Sequence, residues 1–265
     1  MARPAPTRRR RRRAPWLVLA VLLLAAAGLV AAVVAWSGAT LAGDPSALAR
    51  VELQPLAGTL EQARASAPDG TPIPLVVTQG RLTPRTRLTP GEQVSVEVVI
   101  RRPGWLGWAL GKERHERLTL SAPEVSVAAR WLTVNPGEPL RVRFDGPVSA
   151  FAYGPPGRLR HTVDPSGPSV SLGKRSVAGT VEVAAAARSW ERLGKPISVS
   201  WFPPSDSPVA LVTPAPSTHI SPAAPIRLTF SKTVDDALGA ERPKLKPSVP
   251  GRWREIDSHT LVFTP

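Results

Sequence analysis

The sequence predicts a mainly β protein in which one N-terminal transmembrane helix is followed by tandem β-sandwich modules. Three observations carry that expectation. An uncharged apolar segment, Ala14 to Trp36, follows six consecutive arginines. Short runs of Val, Leu, Thr and Ser are then separated by many of the 31 Pro and 20 Gly. Finally, a proline turn feeding an alternating strand occurs three times. Period-two runs bounded by Pro and Gly mark strands and turns, and helical periodicity is scarce beyond Trp36.

The apolar segment has the length of a membrane span. Its 23 residues, rising about 1.5 Å each, cover roughly 34 Å, against a hydrocarbon core of about 30 Å. Trp16 and Trp36 bracket it where interfacial indoles sit. Arg8, Arg9, Arg10, Arg11, Arg12 and Arg13 hold the N-terminus in the cytoplasm under the positive-inside rule. Residues 1–13 therefore read as a cytoplasmic basic tail, 14–36 as the spanning helix, and the remainder as extracytoplasmic modules of a single-pass cell-membrane protein. A cleaved signal peptide competes, because Ser37-Gly38-Ala39 offers small residues to a peptidase, but signal h-regions run only about 7 to 15 residues. Twin-arginine export fits the arginine run loosely. The run could also bind phosphates, yet beside a span it reads as a topology signal meeting anionic lipid, with no nucleic-acid partner.

Composition narrows the chemistry. The absence of cysteine excludes disulfides, thiolate metal sites and a cysteine nucleophile within these residues. The formal charge is +14; residues 1–45 hold seven Arg and one Asp, leaving 27 Lys plus Arg against 19 Asp plus Glu, or +8, beyond them. A positive exterior part reads either as a solvated basic surface or as one drawn to anionic envelope polymers such as peptidoglycan carboxylates or wall phosphates by its long-range field. The expected partners are thus membrane lipid and that polymer. Oligomeric state is not legible.

Residues 37–70 read as a juxtamembrane linker with one early strand; a possible helix over Ala47–Ala67 is interrupted by Pro55 and Gly58. Residues 71–121 read as a short β module with strands at Pro74–Thr78, Gln93–Arg101 and Glu116–Leu120. Between the last two, Pro103–Lys112 carries Trp105, Leu106, Trp108 and Leu110, flanked by Arg101, Arg102, Arg114 and Arg117. Indoles and leucines rimmed by arginine suit a loop dipping into a headgroup layer. The alternative is a long hairpin whose indoles fold back onto the sandwich.

The repeat organises what remains. Leu88-Thr89-Pro90-Gly91-Glu92 leads into Gln93–Val98, Val134-Asn135-Pro136-Gly137-Glu138 leads into Pro139–Phe144, and Ile220-Ser221-Pro222-Ala223-Ala224 leads into Pro225–Phe230. Period two puts Leu140, Val142 and Phe144, or Ile226, Leu228 and Phe230, on one buried face. Pro90 to Pro136 is 46 positions and Pro136 to Pro222 is 86, the larger step suiting an immunoglobulin-like sandwich. Junctions fall near Ala122 and Ser207, the second in a proline-rich linker expected to be stiff and extended. The middle module, 122–206, should hold strands at 125–134, 140–144, 149–153, 169–172, 179–184 and 197–202, with helical turns in Ala185–Leu193.

The third module, 207–265, carries a family resemblance. His219-Ile220-Ser221-Pro222-Ala223-Ala224-Pro225-Ile226-Arg227-Leu228-Thr229-Phe230-Ser231-Lys232-Thr233-Val234-Asp235, with the closing Asp257-Ser258-His259-Thr260-Leu261-Val262-Phe263-Thr264-Pro265, resembles the SbsA-type bacterial immunoglobulin-like domain over about a fifth of the chain. The resemblance implies an extracellular β-sandwich of the kind found in surface-layer proteins, and in membrane-anchored wall proteins ahead of L,D-transpeptidase or peptidoglycan-binding domains. It brings no catalytic residues. With three or four strands where such a sandwich has about seven, the module reads as truncated, its continuation lying past Pro265.

No catalytic, cofactor or metal site is expected. His115, His161, His219 and His259 lie in separate segments without metal-ligand spacing. His161 with Asp164 lacks a nucleophile elbow, and Asp206, Asp235 and Asp236 lack a calcium loop's oxygen ladder. Trp131, Trp190, Trp201 and Trp253 could stack on sugars but read as core anchors of small sandwiches. The expected role is a non-catalytic, membrane-anchored envelope protein whose modules act as a stalk or interaction surface. The alternatives are the front part of a transpeptidase and a binding module for anionic wall polymer.

Overall fold

The computed structural model describes residues 14–165, 167–215 and 221–265. Arg8 to Arg13, and His219-Ile220 at the head of the third repeat copy, lie outside the described residues, as do the side chains of Leu106 and Leu110. The chain divides into two compact units: one runs up to Thr86 and resumes over Gln93–Leu120, and the other comprises Arg87–Glu92 and Ser121–Pro265.

The first unit begins with helix α1, Ala14–Trp36, which has the bounds read from the sequence; a proline at its second position costs no hydrogen bond. Strands β1 (Ala39–Gly43), β2 (Ala49–Leu53) and β3 (Thr59–Ser66) follow at once. Residues 37–70 are thus not a linker, and they hold three strands rather than one. The segment escapes a hydrophobic-pattern reading because its buried side chains are largely alanines, with Ala39, Ala47, Ala49, Ala57 and Ala65 all buried. After β4 (Pro72–Ile73), β5 (Leu75–Thr78) and β6 (Arg81–Pro84), the chain returns as β7 (Gln93–Arg101), helix α2 (Gly104–Leu110) and β8 (Glu113–Ser121). Two four-stranded sheets result, ordered β1-β2-β6-β5 and β4-β3-β7-β8. The alternation of β7 buries Val94, Val96, Val98 and Ile100 on one face. The first module is therefore an eight-stranded unit that starts just after Trp36, not a short one starting at residue 71.

In the second unit, β9 (Trp131–Thr133), β10 (Pro139–Arg143), β11 (Ala150–Gly154), β12 (His161–Val163), β13 (Ser169–Lys174), β14 (Gly179–Ala186) and β15 (Ile197–Phe202) build the middle module. One sheet is ordered β12-β11-β14-β15-β9 and a second pairs β10 with β13. Leu140, Val142, Phe144, Phe151, Val183, Val199 and Trp201 are among the side chains of the common core. This is the β-sandwich expected over 122–206. The helical turns expected over Ala185–Leu193 are absent: β14 continues to Ala186, and Ala184, Ala185, Ala186 and Ala187 are all buried. Strand pairing with β11 overrides the helix propensity of alanine.

The third module is a single antiparallel sheet ordered β16-β17-β19-β18, from β16 (Ala210–Thr213), β17 (Ile226–Phe230), β18 (Arg252–Asp257) and β19 (Thr260–Thr264), with helix α3 (Val234–Leu238) between β17 and β18. Phe230, Val234 and Leu261 form its small core. The expected 252–264 hairpin is present, whereas a second sheet is not seen among the described residues. Middle and third modules belong to one compact unit rather than to bodies separated by a stiff spacer at 203–208.

Candidate membrane-facing site

α1 ends on Trp36 and runs into β1 through two residues. The Trp36 carbonyl, which the helix C-terminus would leave orphaned, accepts from Leu56 N at 3.1 Å; Gly38 O accepts from Gln54 N, also at 3.1 Å. Both donors lie in the short connection between β2 and β3. In the same connection Gly58 lies against the Arg101 carbonyl so closely that no Cβ would fit there. Arg101 ends β7, and α2 starts three residues later. Arg102 N donates to Lys112 O at 2.9 Å, and Arg102 Nη1 donates to Gly111 O at 3.2 Å, closing the base of the α2 excursion. The exit of α1 and the tryptophan-bearing excursion thus share one end of one unit.

Between Pro103 and Gly111 the chain is helical, not the loop read from the sequence. Proline before the first helical residue and glycine after the last, with φ 83° at Gly111, form the usual start and stop signals. Gly104 and Gly107 within the segment carry turn signals that compete with those of a helix. Trp105 and Trp108, at i and i+3, share a face. They are 56% and 86% exposed, so the indoles do not fold back onto the sandwich. Along α1 the described side chains are likewise almost all exposed, from Trp16 and Val18 through Leu29 to Trp36.

Among the described residues no helix is long and apolar enough to cross a membrane. The full helix, Ala14–Trp36, is 23 residues with no charged side chain.

The arginines around α2 are largely engaged. Arg101 forks onto Glu61, Arg114 pairs with Glu116 at 2.6 Å and Arg117 with Glu97 at 3.3 Å. Elsewhere in the same unit, Asp44 accepts from Ser46 Oγ and N at 2.7 Å and from Ala47 N at 2.9 Å. Those donors, assisted by Arg81, hold its carboxyl down at about 2.

The second unit offers a different surface. Trp131 stacks on His259 with centroids 4.1 Å apart, joining middle and third modules, and His259 Nδ1 lies 3.0 Å from Phe230 O. Beside that stack is a groove of about 410 Å³ whose lining includes Thr180, Glu182, Ser200, Arg227 and Asp257. Both charge signs face it, so it is no cationic cradle for an anionic polymer. Trp190 and Trp201 are buried, Trp201 Nε1 donating to Val177 O at 2.7 Å; half-buried Trp253 donates to Pro243 O at 2.8 Å. These indoles are packing anchors, as read. His115 lies between Glu97 and Glu113 at 3.7 and 3.6 Å, and exposed His161 stacks on Tyr153. Asp236 receives the hydroxyl of Thr233, the residue that caps α3. Glu191 is buried, which raises its carboxyl pKa, and its Oε2 accepts from Arg188 N at 3.0 Å. No three His, Asp or Glu side chains converge as a metal site among the described residues.

No protein-family model matches this sequence, and no curated protein matches it. Among solved structures, the chain is similar to the fibronectin(III)-like modules of Clostridium thermocellum CbhA, at 13% identity over 62% of this chain and 93% of that one, with a TM-score of 0.24. It is also similar to the FN1–FN3 domains of chicken CNTN1, at 7% identity over 71% of each chain, with a TM-score of 0.19. At such TM-scores the β-sandwich assignment rests on the sheets themselves.

Proposed function

We propose that this chain is a non-catalytic, membrane-anchored protein of the bacterial cell envelope: α1 crosses the bilayer, the arginine tail stays in the cytoplasm, and the β modules stand outside as a stalk or interaction surface. The observation that carries this reading is α1 itself. An uncharged helix of 23 residues with exposed apolar side chains has no place in water, where burying each large apolar side chain is worth about 1.5 to 3 kcal/mol, and a bilayer supplies the missing apolar surroundings. Arg8 to Arg13 set its direction. The SbsA-type resemblance of residues 214–265 supports an envelope setting, and the +8 charge beyond residue 45 supports attraction to anionic wall polymer through the field. Fractionation tests the anchor. The full chain should stay in the membrane pellet through alkaline carbonate and high salt; release into the supernatant would contradict integral insertion.

A further inference from the structure

We infer that α2 is a second membrane contact, a shallow one, by which the first β unit lies against the same leaflet from which α1 emerges. The inference rests on α1 spanning the bilayer and adds an interaction surface that the span does not require.

Three observations converge on it. The first is exposure: Trp105 and Trp108 are among the exposed large apolar side chains of the described residues, on one face of a helix that packs neither indole inward. Exposing two indoles to water is unfavourable by the area they present, whereas the headgroup region accommodates their apolar rings and N–H groups together. The second is position. Trp36 O is bonded to Leu56 N, Gly58 abuts Arg101, and Arg102 holds the base of α2. Those links, with chain reach of about 3.5 Å per residue, keep the start of α2 within about 25 Å of the end of α1. A sandwich fixed to the span at Trp36 therefore carries α2 at its membrane-proximal end. The third is charge. Lys112 is exposed beside α2 with Arg102 at its base, while the acidic Glu61 and Glu116 are matched by Arg101 and Arg114. Glu113, which follows Lys112, is exposed and lies 3.6 Å from His115, so the basic side chains at the base of α2 outnumber the unmatched carboxylates there.

A seven-residue helix cannot cross a bilayer; it lies in the interface, where indoles are accommodated. One consequence is mechanical. The second attachment reinforces the hydrogen bonds at Trp36 and Gly38 in setting which face of the first unit looks away from the membrane.

The chain contains no cysteine, so one reporter can be placed at will. The full chain carrying Gly104→Cys, a position with open space around it, is labelled with an environment-sensitive fluorophore in vesicles of phosphatidylethanolamine and phosphatidylglycerol. The same label at Leu24→Cys reads α1. The expected result is a blue-shifted Gly104 probe, shielded from iodide and quenched by nitroxide-bearing lipid, that loses its shift and shielding when Trp105→Ser and Trp108→Ser are added. A lipid-quenched probe at Leu24 with a water-exposed probe at Gly104 would overturn the second contact and leave the span standing. Water exposure at both positions would overturn the span and this inference with it. A lipid-quenched Gly104 probe unmoved by the double tryptophan change would overturn the role given to the indoles.

Discussion

Gly91 and Gly137 occupy equivalent turns in two copies of the repeat. Glu92 N donates to Thr89 O and Glu138 N to Asn135 O, both at 3.0 Å, with φ of 77° and 83° at the two glycines. These are type II turns with proline second and glycine third, where φ must be positive. In the third copy Ala224 N donates to Ser221 O at 2.9 Å, and Ala223 has no positive φ, so the same role is filled by a turn that needs no glycine. Gly137→Ala should therefore destabilise the second unit by about 1 to 2 kcal/mol, read as a lower urea midpoint for the full chain in detergent; an unchanged midpoint would contradict the turn assignment. Asp44 adds a pH effect. Its folded pKa is depressed from 3.8 to about 2, so the folded form binds fewer protons there. The stability it contributes is complete above 3.8 and is lost as pH falls from there through about 2. Asp44→Asn should accordingly lower the melting temperature at pH 6 and converge with the parent chain near pH 2, as melts across that range would show.

Among the elements, those with strict alternation were legible and those built on small residues were not. β7, β10 and β17 could be read because Val, Leu, Ile and Phe alternate with polar side chains. Two of the three strands β1 to β3 and the end of β14 escaped because alanine fills many of their buried positions and carries little hydrophobic signal. The Trp105, Leu106, Trp108 and Leu110 segment was recognised by composition, but its helical form was not. α1 was legible in full, since an uncharged apolar run of that length has few other structures open to it. Leu23→Arg should strongly reduce its insertion, because a charge near the centre of a span costs at least about 2.5 to 3.5 kcal/mol on translocon scales. The fraction resistant to carbonate extraction measures this, and a fraction equal to that of the parent chain would contradict a spanning α1.

At the scale of the whole molecule, the sequence read three modules in a row, and the structure shows two compact units. The junction placed near Ala122 lies beside the observed boundary at Leu120/Ser121. The junction near Ser207 does not separate the middle and third modules, which meet through Trp131 and His259. That pair is 128 positions apart, and no local pattern could join the two residues. The polar groove beside the stack escaped for the same reason, being assembled from β9, β14 to β17, β18 and β19. The central claim is that the β-strands of both units stand outside a membrane crossed by α1, and it is tested most directly by topology. Alkaline phosphatase and a fluorescent protein that matures only in the cytoplasm are each fused after Pro265 of the full chain in a bacterial host. The account predicts active phosphatase and a dark fluorescent fusion; the reverse pattern, inactive phosphatase with bright fluorescence, would contradict it.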